Sequence, residues 1–253
     1  MTDNREPSLH PPPLAPAERF REAVRRLYQD EGEVWRNHYR RYFKIAARLL
    51  GIGFVLGFIF FSLRPDQEQK ALTTVLKALK DIPLAASPPV LALTLFYHNA
   101  RASFFALAAG WFPWLCLPLF DPLLNGAVLG LLVSVARHQG LNVPVLVLTG
   151  ILPHGIIELP AVLYVTAIGM DVSITLGRKI LASLRPADDL PSDEKEGPDE
   201  VREDGVESRE AAPAGIPSVA ELALRAAKSF VLVVLPLLAL AALVEAFVTP
   251  LLI

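Results

Sequence analysis

The chain has 253 residues, 53% of them apolar and 20% charged, with a mean hydropathy of +0.41. A soluble domain sits near about 45–50% apolar and about 25% charged. The apolar excess here collects in five blocks, which excludes a single water-soluble globule, a collagen-like fibre and a wholly disordered chain. A net charge of −2, from 24 Lys+Arg and 26 Asp+Glu, leaves no overall basic footprint for nucleic acid. One cysteine, Cys116, excludes an intramolecular disulfide and a Cys-based metal site.

In chain order, residues 1–16 form a Pro-rich head that composition predicts to be unstructured. Residues 17–44 read as a basic helix with Phe20, Val24, Leu27 and Tyr28 on one side, expected at the cytoplasmic membrane surface or leading into the first span. The first 44 residues are polar and the first apolar stretch is long and lies far in, so no secretory signal peptide is expected. A spanning helix needs about 20 mostly apolar residues, since each rises about 1.5 Å through a hydrocarbon layer of about 30 Å. The blocks at 45–63, 89–110, 111–136, 143–170 and 230–252 meet that length. The fold class expected is therefore all-α, a polytopic membrane helix bundle of about five transmembrane helices. Four of them fall in 45–170, and the fifth in 230–253.

The connections differ in character. Loop 64–88 carries an apolar helical stripe of Leu72, Val75, Leu76 and Leu79, so it is expected as an amphipathic helix at the outer interface or against a partner. Loop 171–229 contains an acidic stretch at 186–213 with eleven acids and three bases, which cannot bury enough apolar surface to order itself and reads as a disordered tether. Ser218, with Glu221 three residues on, is the capping-box pattern of a new helix. Lys+Arg number nine in residues 1–44, eight in 171–229, four in 64–88 and one in 137–142. Positive flanks stay cytoplasmic. This places the N-terminus and loop 171–229 inside a plasma membrane and the C-terminus outside.

Polar and ionisable residues within spans are costly, by about 3 to over 10 kcal/mol at the bilayer centre. The blocks contain His98, Asn99, Arg101, Asp121, Asn125, His154, Glu158 and Glu245, each of which must face other helices or water. Either they pair to fix helix register, or they mark a substrate, ion or proton path. Arg101 cannot shed its proton, so it must pair with Asp121, Glu158 or Glu245, or snorkel to the inner interface. The segment GILPHGIIELP places Gly150, Pro153, Gly155 and Pro160 within eleven residues, so this span is expected to kink or break. Breaks within a membrane are tolerated where they are buried or line a cavity. His154 and Glu158 are four apart and share a helical face. No H-E-x-x-H motif is present, and no catalytic, metal or cofactor site is expected. Gly126 and Gly130 have the small-xxx-small spacing of close helix contacts, compatible with a homodimer.

The residues of FYHNARAS (His98, Asn99), NGAVLG from Asn125, LPHGIIELPA from Leu152 and LVEAFVTP from Leu243 together resemble the stage II sporulation protein M family of multi-pass membrane proteins. The family shows an Asn pair where this chain has His98-Asn99. The likeness covers about 45–170 and 220–253. It implies no catalytic residue. It implies a non-enzymatic scaffold, which in spore formers works with stage II sporulation proteins D and P, a peptidoglycan-degrading cell-wall hydrolase complex. The expected function is thus a membrane scaffold or assembly factor of the cell envelope, with the lipid bilayer and membrane or envelope proteins as partners. The alternative is a transporter or permease component using the His154/Glu158 polar site. The sequence has no phosphate-binding loop, so an energising ATPase would be another chain.

Overall fold

The computed structural model describes residues 16–79, 87–113, 117–184 and 217–251. Residues 1–15 of the Pro-rich head, the acidic stretch 186–213 and the side chains of Pro16, Leu79 and His154 lie outside that description. The chain divides into two compact units, Met1–Asn37 and His38–Ile253.

In the first unit, α1 (Pro16–Val34) is strongly amphipathic. Phe20 and Tyr28 are exposed, with Val24 beside them, and Arg26 pairs with Glu22 one turn back at 2.5 Å. The stripe forms because these apolar residues recur at helical spacing with arginines between them.

The second unit opens at the end of a π-helical turn, Trp35–Tyr39. There follow α2 (Arg40–Leu63), α3 (Pro65–Leu79), α4 (Pro88–Ala109), α5 (Phe120–His138), α6 (Val143–Leu146), α7 (Leu152–Ser183), α8 (Val219–Ser229) and α9 (Leu235–Phe247). The described residues are overwhelmingly helical and contain no strand. Proline and glycine set several boundaries. Pro88 and Pro89 start α4, where a missing N–H costs nothing. Gly140, at φ 71°, turns the chain after α5. Ser218 and Glu221 form the reciprocal capping box expected of them: Glu221 N–H donates to Ser218 Oγ at 3.2 Å, and Ser218 N–H donates to Glu221 Oε2 at 2.7 Å.

The fourth apolar block is interrupted where its glycines and prolines crowd. A π-helical turn, Val147–Ile151, precedes Pro153 in the first turn of α7. Pro160 lies inside α7 without ending it. The helix also runs thirteen residues past Met170, because the sequence around Asp171 stays apolar as far as Leu176.

Four helical stretches are long and apolar enough to cross a membrane: the one ending at Leu63, Leu117–His138, Gly155–Ser183 and Val219–Leu251. α4 is not among them, since Tyr97-His98-Asn99-Ala100-Arg101 dilutes it. Its 22 residues still extend about 33 Å. The packing supplies the missing crossing. α2 and α5 run parallel: Leu50 meets Gly126, Gly57 meets Ala127, and Ser62 Oγ donates to Ser134 Oγ at 3.2 Å. Parallel neighbours need a return path between them, and α4 provides it. α4 runs antiparallel to α9, with Leu91 and Ala92 against Ala246 and with Leu107 and Trp111 facing Ala226 and Phe230. It runs parallel to α7, with Gly110 against Gly169 at one end. Direction therefore alternates through α2, α4, α5, α7 and α9, as in a five-span bundle.

α7 is the axis of this bundle. Of its most apolar window 67% is buried, against 17–39% for the other three candidate spans. Ala161, Val165, Ala167, Ile168 and Val172 are closed off from solvent on successive faces. The outward faces of the other helices are apolar: Ile52, Val55 and Leu56 on α2, Leu93, Phe104 and Phe105 on α4, Leu240 and Leu243 on α9. Exposed apolar area on this scale suits lipid contact, not water.

Candidate functional site

α4, α5, α7 and α9 line a partly open polar cavity of about 110 Å³ in the bundle. It brings together four of the residues singled out in the sequence: Asn99 from α4, Asp121 and Asn125 from α5, and Glu158 from α7. Ser103 of α4, Val162 and Leu238 also line it. Local helix geometry explains the set. Asn99 and Ser103 are one turn apart on α4, as are Asp121 and Asn125 on α5, and i,i+4 residues share a face. Asn125 Nδ2 donates to the Asp121 carbonyl oxygen at 2.9 Å and to Asp121 Oδ1 at 3.3 Å, which fixes that carboxyl. Ser103 is only 6% exposed, and among the described residues neither its hydroxyl nor the Asn99 amide makes a hydrogen bond.

The other expected residues lie elsewhere. His98 is half-buried on α4 and does not line the cavity. Glu245 accepts a hydrogen bond from Thr249 Oγ1 at 2.9 Å near the end of α9. Arg101 is exposed on the outer face of α4, among Tyr97, Phe104 and Phe105. Among the described residues it pairs with no carboxylate, neither Asp121, Glu158 nor Glu245. His154 shares α7 with Glu158, and its side chain lies outside the description.

Two further clusters are each built on a buried carboxylate. At one end of the bundle Asp171 of α7, 5% exposed at its side chain, accepts from Arg225 Nη2 of α8 at 2.6 Å and lies 3.5 Å from His38 Nδ1. Tyr39 is buried beside them, its hydroxyl 3.2 Å from Ser229 Oγ and its ring edge-on to Tyr164. At the opposite end Glu68 of α3, with a 2% exposed side chain, accepts from the Ser134 hydroxyl and lies 3.0 Å from His138 Nδ1, both on α5. The signal for Asp171 was present: VTAIGMDVSITLG is apolar on both sides of that one carboxylate. Glu68 carried no signal, since it sits in the charged part of α3 and only tertiary contact buries it.

A helical bundle with alternating spans, lipid-facing apolar surfaces and buried polar groups defines a multi-pass membrane protein. The sequence model of the family described as Stage II sporulation protein M matches residues 46–250, and the chain belongs to that family. No curated protein and no solved structure matches it.

Proposed function

We propose that the protein is a non-enzymatic scaffold or assembly factor of the plasma membrane, acting in the cell envelope. Arg101 carries this reading. A permanent cation sits on a lipid-facing surface between aromatic side chains, and no carboxylate among the described residues neutralises it. It lies eight residues before the end of α4, about 12 Å along the axis. Hydrocarbon holds such a charge only at high cost, so a partner helix that brings a carboxylate or acceptor is strongly favoured there. The remainder of the bundle suits a holder of partners: its helices are tied at both ends by buried carboxylates. The excess of Lys+Arg in 1–44 and 171–229 supports a cytoplasmic N-terminus and an external C-terminus. In spore formers the family member works in an engulfment machine, which supports an envelope partner such as a cell-wall hydrolase.

The test is co-purification from native membranes, comparing wild type with Arg101→Leu. An envelope protein held by wild type and lost from the variant, with insertion unchanged, is the expected result. Identical partner sets would remove the reading.

The polar cavity favours a second reading, a permease component. It expects His154→Ala and Glu158→Gln to abolish flux in proteoliposomes while the protein still inserts, and an ATPase subunit to co-purify.

A further inference from the structure

We propose that the apolar groove between α4 and the α8–α9 segment seats a transmembrane helix of a partner protein, one whose span carries an Asp or Glu that pairs with Arg101. The proposal rests on the scaffold reading and adds to it a surface and the chemistry of what docks there. The groove has a volume of about 430 Å³. Phe104, Leu107 and Trp111 form its α4 wall, and Ala223, Ala227 and Val231 form the other. Among the described residues no charged side chain lines it. Arg101 stands at its rim. It precedes Phe104 by three residues and Ala108 by seven, a spacing that keeps all three on one side of the helix, and the two later residues line the groove. A deep apolar seat with one cation at its edge calls for an apolar occupant that brings one anion.

Helix geometry selects that occupant. α4 ends eight residues after Arg101, so the nearer membrane boundary lies about 12 Å away at its C-terminal end. Every Cα–Cβ bond of an α-helix tilts toward the N-terminus. The Arg101 side chain therefore leaves the backbone toward the bilayer centre, away from the lipid phosphates at that nearer boundary. An acyl chain would fill the groove and leave the guanidinium unpaired. A second copy packed symmetrically presents the same patch on both sides. That patch brings another Arg101 and, among the described residues, no carboxylate. A foreign helix meets both demands. Ala223 and Ala227, one turn apart on α8, let its backbone come close, as small residues do where membrane helices pair. Its own carboxylate, about two turns inside the span, then lies level with Arg101 and accepts the charge-assisted hydrogen bonds that hydrocarbon cannot offer.

The experiment uses the full chain in native membranes. A photoreactive phenylalanine replaces Phe104 at the groove or, as a control, Phe60 on the exposed face of α2. After illumination, adducts are identified by mass spectrometry. The expected result is a protein adduct from position 104, absent from position 60, whose cross-linked peptide is a membrane span containing Asp or Glu. Its yield falls about tenfold or more in Arg101→Glu, and changing the partner's carboxylate to Arg restores it. The groove-filling pair Ala223→Leu with Ala227→Leu, which leaves Arg101 in place, lowers the yield as well. A lipid-only adduct, an adduct to a second copy of this chain, a span without a carboxylate, or a charge swap that restores nothing overturns the proposal. A partner lost in Arg101→Leu but cross-linked as before in the filled groove removes this seat and keeps the scaffold reading. Partner sets unchanged in Arg101→Leu remove the reading on which it rests.

Discussion

The seam between α2 and α5 and the space between α4 and α9 are built on opposite rules, although α4 also touches α7 closely at one point, Gly110 against Gly169. At the seam there is no room for a methyl group. A Cβ on Gly53 would stand 2.1 Å from the Leu123 carbonyl oxygen, and one on Gly126 would stand 2.1 Å from that of Leu50. Gly57 and Gly130 are as closely apposed to backbone at 2.7 and 2.5 Å. Two glycine pairs at four-residue spacing thus zip parallel helices together, and dispersion between backbones replaces the hydrophobic drive that lipid does not supply. Beyond α7 the packing opens. It leaves the polar cavity and, nearer the Asp171 end, an apolar groove of about 430 Å³ flanked by Phe104, Trp111, Ala227 and Phe230. One side of the bundle is a close-packed frame, and the other leaves space between its helices.

The sharpest way to break this contrast is to enlarge a seam glycine. Gly126→Leu drives a side chain into backbone that cannot move aside, a cost above the about 1–3 kcal/mol of ordinary overpacking. The expected outcome is loss of the folded monodisperse species in detergent size-exclusion chromatography. A well-folded variant would show that the seam is not the frame. Next is Asp171→Ala, which leaves Arg225 without its buried carboxylate. Breaking a buried pair costs about 3–5 kcal/mol, so a large fall in Tm is expected, with α8 amides exchanging faster in hydrogen exchange. Glu68→Ala should cost less, about 1–3 kcal/mol for the polar partners it leaves at Ser134 and His138. Its mark is local: faster exchange confined to α3 and the end of α5. Smallest of all, Ala227→Leu in the open groove should shift stability by no more than about 0.5 kcal/mol. A Tm drop as large as that of Gly126→Leu would show that the two sides are packed alike.

Much of this was legible in the residues themselves. Gly126 and Gly130 announced a close helix contact, although their counterparts Gly53 and Gly57 were hidden in a span that read as simply apolar. The crowding of Gly150, Pro153, Gly155 and Pro160 announced an interruption, and it falls at Val147–Ile151, just ahead of Pro153. Pro160 alone does not stop α7, since a helix buried in protein can tolerate one lost donor. Asn99, Asp121, Asn125 and Glu158 read as polar residues that cannot face lipid, and they line one cavity. Arg101 was grouped with them, but the angle of one residue around α4 puts it on the outside. Asp171 is marked by its apolar flanks, but His38, Glu68, His138 and Arg225 could not be found by pattern, because an ionisable residue near a span end reads as solvated until a distant helix covers it.

Composition and periodicity by themselves determined that this chain makes membrane-length helices, and its motifs determined the family, because an apolar run of 20 residues and a capped, amphipathic segment are local properties. Which helix lies parallel to which, that α4 crosses despite its polar centre, and which carboxylates end up buried were decided only by tertiary packing. Those outcomes depend on residues tens of positions apart, Gly53 against Leu123, Glu68 against Ser134 and Asp171 against Arg225, and no local pattern in the chain encodes such a pairing.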